Sequence, residues 1–297
     1  MTNFKDRLSQ PGVLVADGAT GTMLQQAGLP SGVPPERWNL DNPQAVRALH
    51  QGYLQAGADI ILTNTFGGTR MRLDKDQLGS RVHEINLAAA RLAREMAGDR
   101  AFVFGDIGPT GILLKPYGPL LIADAVAAFQ EQAAGLVEGG VDAILIETMS
   151  DLNEARAAVE GVRQVTDLPV LVTMSFDTHG RTMMGVKPDK AARELWALGI
   201  DAVGANCGRT LTETLAAIQE MRTAIPQAVL IAKPNAGLPR IEKTDKEKPS
   251  EIVYDVTPQV MGEYALKFKE QGVKIFGGCC GSTPEHIQAI RRVLAQR

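Results

Sequence analysis

A chain of 297 residues, 44% apolar and 22% charged, has enough material for one large α/β domain or two smaller ones. Its net charge of −3 and isoelectric point near 5.9 exclude an electrostatic case for binding nucleic acid or anionic membrane. Three cysteines cannot all pair within one chain, the first residues lack the apolar core of a signal peptide, and no run is long enough to span a bilayer. These features predict a cytoplasmic protein with reduced thiols.

Val13-Leu14-Val15-Ala16 is the first apolar run, closed by Asp17-Gly18-Ala19-Thr20-Gly21-Thr22. A Pro-rich connection leads to a helical segment from Pro43 to Ala56, and Asp59 to Thr63 forms the second run, ending at Asn64-Thr65-Phe66. The Ala-rich stretch from Val82 to Ala97 is helical by composition. Phe102 to Gly105 leads into Asp106-Ile107-Gly108-Pro109-Thr110-Gly111, followed by a helix from Ile122 to Glu138. The alternation then tightens. Asp142 to Ile146 meets Glu147-Thr148 before a helix from Leu152 to Val165, and Val170 to Met174 meets Ser175 before a helix from Asp189 to Leu198. Asp201 to Ala205 meets Asn206-Cys207 before a helix from Thr212 to Thr223. Val229 to Ala232 meets Lys233-Pro234-Asn235, and a helix from Pro258 to Glu270 follows. Last, Val273 to Phe276 ends at Gly277-Gly278-Cys279-Cys280, with Thr283 as N-cap and Pro284 at the first position of the closing helix.

Eight near-continuous apolar runs, each followed by a helix, predict a parallel sheet covered on both faces, and in this length a (β/α)₈ TIM barrel as a single domain over residues 1–297. An open doubly wound sheet is the alternative, but no G-x-G-x-x-G follows the first run. The charge run Glu242-Lys243-Thr244-Asp245-Lys246-Glu247-Lys248 reads as a solvated loop after the seventh strand.

In such a barrel the polar residues that follow the strands gather at one face, and that face carries the active site. Strands six and eight are separated by one neighbour, so Cys207 is expected to meet Cys279 and Cys280. Zinc suits three thiolates, and three protein ligands leave its fourth position open. Zn²⁺ with three thiolates is already net −1, which favours activating a bound thiol over activating water. Spacing alone leaves other readings beside this one: buried thiols packed as small hydrophobes, or a vicinal disulfide. Asp17 reads equally as a turn cap, Glu147 as the partner of an arginine, and Lys233 as either an ion pair or a Schiff-base lysine. His179 reads as a turn residue and His286 as an exposed residue of a first helical turn.

The segments Asp17-Gly18-Ala19-Thr20-Gly21-Thr22, Thr63-Asn64-Thr65-Phe66, Gly108-Pro109-Thr110-Gly111, Glu147-Thr148, Gly204-Ala205-Asn206-Cys207-Gly208, Lys233-Pro234-Asn235-Ala236-Gly237 and Gly277-Gly278-Cys279-Cys280-Gly281 together resemble the homocysteine S-methyltransferases. The resemblance runs along almost the whole chain. It implies a (β/α)₈ barrel, a zinc ion held by Cys207, Cys279 and Cys280, and homocysteine bound through its thiolate as the fourth ligand. The family's amino-acid-binding carboxylates match Asp17 and Glu147, which are expected to hold the ammonium group of homocysteine. Gly18, Asn64, Thr65 and Asn206, from the same matching segments, complete the expected substrate-binding set.

The last of these motifs narrows the resemblance: the cysteine pair followed by Gly281-Ser282-Thr283-Pro284-Glu285-His286 looks most like the homocysteine module of the cobalamin-dependent branch. With one helix after the cysteine pair, the chain is expected to carry no folate, cobalamin or reactivation module of its own. The expectation is therefore a methyl donor supplied from outside, either methylcobalamin or another corrinoid on a separate protein, or a small molecule. The rival functions are a Schiff-base aldolase using Lys233 and a non-catalytic thiol or metal sensor.

Overall fold

Aliphatic and β-branched residues without polar interruption make strands when both faces are covered. In the computed structural model, which describes residues 3–242 and 251–296, these stretches form β1 (Leu14–Val15), β2 (Ile60–Leu62), β3 (Phe102–Ile107), β4 (Ala143–Met149), β5 (Val170–Met174), β6 (Ala202–Cys207) and β7 (Leu230–Pro234). An antiparallel hairpin of β8 (Pro239–Glu242) and β9 (Glu251–Tyr254) follows, and then β10 (Val273–Phe276). Apart from the hairpin, the strands pair in parallel in the order β1-β10-β7-β6-β5-β4-β3-β2. A parallel bridge from Ala16 to Ile60 joins the two ends, supported by Asp17 N–H donating to the Ile60 carbonyl at 3.0 Å and Asp59 N–H donating to that of Val15 at 2.7 Å. The expected TIM barrel is thus formed.

Among the described residues, eight principal helices follow the barrel strands: Pro43–Gln55, Val82–Ala97, Ile122–Glu138, Leu152–Arg163, Pro188–Trp196, Leu211–Ala224, Pro258–Glu270 and Pro284–Ala295. No helix of the described residues is long and apolar enough to cross a membrane. The last helix begins as its sequence predicts, with Thr283 as N-cap and Pro284 in its first turn. His286 corrects an expectation. It is buried, its Nδ1 accepting the Thr283 N–H at 3.1 Å and its Nε2 donating to the Val256 carbonyl at 2.9 Å. Both ring nitrogens are thereby used in a capping box and a tie to the segment after the hairpin.

Side chains on a strand alternate between faces, and this divides the core in two. Phe4, Leu14, Ile60, Leu62, Phe104 and Leu145 belong to one cluster, and Val15, Ile61, Val103, Ile144 and Ile146 to the other. The first fills the barrel; the second lies under the helices. Phe4, on an unanticipated short helix (Phe4–Ser9), plugs the barrel edge-on against Phe102 and Phe104 at 5.3 and 4.7 Å. The inward parity that carries Phe104, Leu145, Leu171 and Ile231 reaches Asp106, Glu147, Thr173 and Lys233 two residues later. Strands β3, β4, β6 and β7 therefore run further than hydropathy predicts, because the ladder continues through polar residues facing the mouth of the barrel. The segment read as one long loop after β7 is instead the β8–β9 hairpin; the charge run at 242–248 lies, apart from its first residue, outside the described residues.

Candidate active site

Cys207 ends β6 and Cys279-Cys280 follow β10, with only β7 between those strands. The three sulfurs lie within 4.8 Å of one another. The end of β7 forms the clasp. Its Asn235 receives the Cys280 N–H on Oδ1 at 3.0 Å and donates from Nδ2 to the Gly208 carbonyl at 2.8 Å. Cys279 N–H donates to the Pro234 carbonyl at 2.8 Å, and Ala236 N–H to that of Cys280 at 2.9 Å. Close approach requires glycine here: a Cβ on Gly278 would lie 2.2 Å from Ser282 Oγ, and one on Gly18 would lie 2.5 Å from the Ser282 carbonyl oxygen. Cys207 itself has a left-handed backbone, φ 58, which breaks the alternation at the last residue of β6. Hydrogen bonds from Cys279 and Cys280 pull the Cys207 thiol down to about 3, and the hydrogen bond to Cys207 pushes Cys279 up to about 12. The three sulfurs thus share hydrogen bonds that favour a thiolate within the cluster. Three converging soft donors are a set that could hold one metal ion.

Beside the sulfurs lies a buried charge cluster. Lys233 Nζ sits 3.2 Å from Glu147 Oε2 and 3.7 Å from Asp17 Oδ1, and all three side chains are buried. Asp17 Oδ2 accepts the Leu62 N–H at 2.7 Å. Burial raises the Asp17 carboxyl to about 6 against the opposing pull of Lys233, and Glu147 moves in the same direction for the same reason. Burial also works against the Lys233 ammonium, but Glu147, Asp17 and Asp106 outweigh it and hold its pKa above the ordinary lysine value. A lysine held protonated is a poor amine nucleophile, so Lys233 stands as an ion pair. Asp17 is accordingly a partner of β2 and of this lysine, and Glu147 pairs with lysine instead of an arginine.

The other expected site residues fall into two groups. Gly18 and Asn64 line the cavity of about 610 Å³ that contains the cysteines, Asp106, Glu147 and Lys233. Asn64 also spends its amide on the Pro35 carbonyl, at 2.7 Å, and on Asn39 Oδ1, at 3.0 Å, securing the segment before the first principal helix. Thr65 is fully buried and donates to the Asp106 carbonyl at 2.7 Å. Asn206 accepts on Oδ1 from Thr148 N–H at 2.8 Å and from Thr173 Oγ1 at 2.7 Å, and its Nδ2 reaches Thr148 Oγ1 at 2.6 Å. Thr65 and Asn206 therefore position their neighbours.

One residue of the site was seen in the sequence without its role, and another was missed. Asn235 was visible at a strand end, but its clasp joins residues far apart in sequence. Tyr254, on β9, lines the cavity beside Cys279 and Cys280, and burial with the Cys280 sulfur nearby pushes its phenol up to about 12. Reading the charged segment before it as a solvated loop concealed it; the β-branched and aromatic run Ile252-Val253-Tyr254 was the available signal.

With this geometry in hand, comparison with known proteins is specific. The family model described as homocysteine S-methyltransferase matches residues 14–294. The methionine synthases of Mycobacterium tuberculosis (strain ATCC 25618 / H37Rv) and Mycobacterium leprae (strain TN) are 32% and 31% identical, each alignment covering 99% of this chain. The chain spans about a quarter of the length of these relatives, 25% in each case. The metallated homocysteine methyltransferase MmuM from Escherichia coli has the same fold, with a TM-score of 0.81 and 20% identity over 100% of both chains.

Proposed function

This chain belongs to the homocysteine S-methyltransferase family, and on that premise we propose that it transfers a methyl group to the thiol of homocysteine, giving methionine. The carrying observation is the convergence of three sulfurs within 4.8 Å beside a buried cluster rich in carboxylates. Residues 1–297 act in this reading as one homocysteine-binding barrel.

The donor set fits zinc. Zn–S bonds of about 2.3 Å in a tetrahedron set sulfurs about 3.8 Å apart, inside the observed limit, and Cys207, Cys279 and Cys280 would hold the ion. Zinc bound there would supply an open fourth position that lowers the pKa of a substrate thiol. The chain's own residues do the rest. Asp17 and Glu147 hold the substrate's ammonium, with Lys233 tempering their repulsion. Asn206 and Asn235 keep the strand ends in register, so the acceptor sulfur is presented in line with the methyl group. The new sulfur–carbon bond forms as the bond from methyl to donor breaks, and the thiol proton leaves to solvent. The donor in this reading is a methylcorrinoid carried by another protein or module, or a small methyl donor.

The test is zinc analysis with turnover. Cys207→Ser should lose zinc and homocysteine methylation together; methylation retained without metal would end this mechanism. A donor panel of methylcobalamin, S-methylmethionine, S-adenosylmethionine, betaine and methyltetrahydrofolate assigns the methyl source. Borohydride trapping of a carbonyl substrate on Lys233 would instead support the aldolase reading, and absence of methyl transfer from every donor would support the sensor.

A further inference from the structure

Asp106 is a buried carboxylate that the described backbone does not need. Its backbone is held without help from its side chain: the N–H donates to Thr63 Oγ1 at 2.9 Å, and the carbonyl accepts from Thr65 Oγ1 at 2.7 Å and Gln132 Nε2 at 3.3 Å. Thr63, Thr65 and Gln132 are all fully buried, so this clamp is rigid. The inward parity of β3 then delivers the side chain to the cavity, where it is 4% exposed and lines the wall with Glu147 and Lys233. Its Oδ1 has no hydrogen-bond partner among the described residues. Leaving a buried carboxylate oxygen unpaired is unfavourable, so the arrangement calls for a partner that the described residues do not supply.

Charge identifies that partner. Glu147 gives an oxygen to Lys233, and Asp17 gives one to the Leu62 N–H. Asp106 has neither. Burial, then the Glu147 carboxylate, holds the Asp106 carboxyl well above its usual range, with Lys233 pulling the other way. Three carboxyl groups around one ammonium leave room for a second cation, whose arrival would offset the burial and bring Asp106 to its charged form, and they disfavour an anion. A thiol amino acid brings such a cation within a few bonds of its sulfur, and the sulfur site lines the same cavity.

We propose that the Asp106 carboxylate is a third acceptor for the substrate's α-ammonium, beside Asp17 and Glu147, and selects for thiols that carry an amine. This rests on reading the cavity as the homocysteine site.

The test uses the zinc-loaded protein and its Asp106→Asn and Asp106→Ser variants, with binding measured by titration calorimetry and folding by thermal melting. Three ligands separate the contributions: homocysteine; homocysteamine, which keeps the amine and lacks the carboxylate; and γ-mercaptobutyrate, which keeps the carboxylate and lacks the amine. Both variants should bind homocysteine and homocysteamine about tenfold or more weakly, the size expected for losing a charge-assisted hydrogen bond, and bind γ-mercaptobutyrate as the parent does. Equal weakening toward all three ligands, no weakening, or weakening confined to ligands with a carboxylate would overturn the assignment. Unfolding of both variants would also overturn it, because the carboxylate would then have a structural duty. If the unaltered protein binds no homocysteine at all, the homocysteine reading itself fails and Asp106 falls with it.

Discussion

The side-chain amide of Asn206 holds Thr148 at both ends, accepting its backbone N–H at 2.8 Å and donating to its hydroxyl at 2.6 Å. Thr148 has φ 61, a conformation that a β-branched residue adopts only under constraint. It directly follows Glu147, so this pair of hydrogen bonds fixes where the carboxylate points. Asn206→Ala should therefore cost about 1–3 kcal/mol of stability and weaken homocysteine binding while Glu147 itself is untouched. Denaturant titration and ligand titration on the same variant check this; unchanged binding would mean that Thr148 holds its conformation unaided.

Asn235 ties together the two cysteine-bearing ends of the proposed metal site, bridging the Gly208 carbonyl and the Cys280 N–H. Its removal should leave all three sulfurs in place but loosen their spacing. Asn235→Ala should still bind one zinc per chain, with affinity reduced about 10–100-fold, as is usual for groups that orient ligands. Competition against a chromogenic chelator measures that ratio.

Lys233 compensates two buried carboxylates at once. Replacing it with methionine, of similar length, should destabilise the protein by about 3–5 kcal/mol because the acids are left without a counter-charge. The loss should shrink at low pH, where the acids are protonated. The sign follows from the native cluster: without Lys233 the carboxylates have still higher pKa values, so the penalty is present when they ionise and vanishes when they do not. Urea midpoints at two pH values decide the matter.

Methionine offers a clean pH probe of the proposed ammonium cradle, since its binding involves no thiol proton and its ammonium stays charged across the acid range. Asp17, raised to about 6, must be ionised to hold that ammonium. Affinity should be full above about pH 6 and fall as pH drops through it, at up to about tenfold per unit for one competing proton. Glu147, raised in the same direction, adds to the fall. Asp17→Asn should make the profile shallower. A flat profile in the unaltered protein would show that neither carboxylate holds the ammonium.

The barrel was legible because its signal is local. An apolar run such as Val170–Met174 is buried on both faces of the sheet, and a Thr-Pro pair such as Thr283-Pro284 favours a helix start through its own local geometry. Strand ends were less legible. Hydropathy ends β4 at Ile146, whereas its ladder continues to Met149 because Glu147 faces the barrel mouth. The hairpin that brings Tyr254 to the site was hidden by the charged segment next to it, and burial of His286 depended on the Val256 carbonyl arriving from another element.

Taken by itself, the sequence determined eight strand–helix units, the three thiols and the motifs that carry the family resemblance, since these depend on residue types and short spacings. The tertiary structure alone decided that Lys233 stands between Asp17 and Glu147, that Asn235 clasps two cysteine-bearing ends, and that Asp106 is left with an unpaired oxygen. Those relationships join residues separated by tens to hundreds of positions. They arise only when the barrel closes and sets the register between strands, a geometric constraint that no short stretch of chain contains.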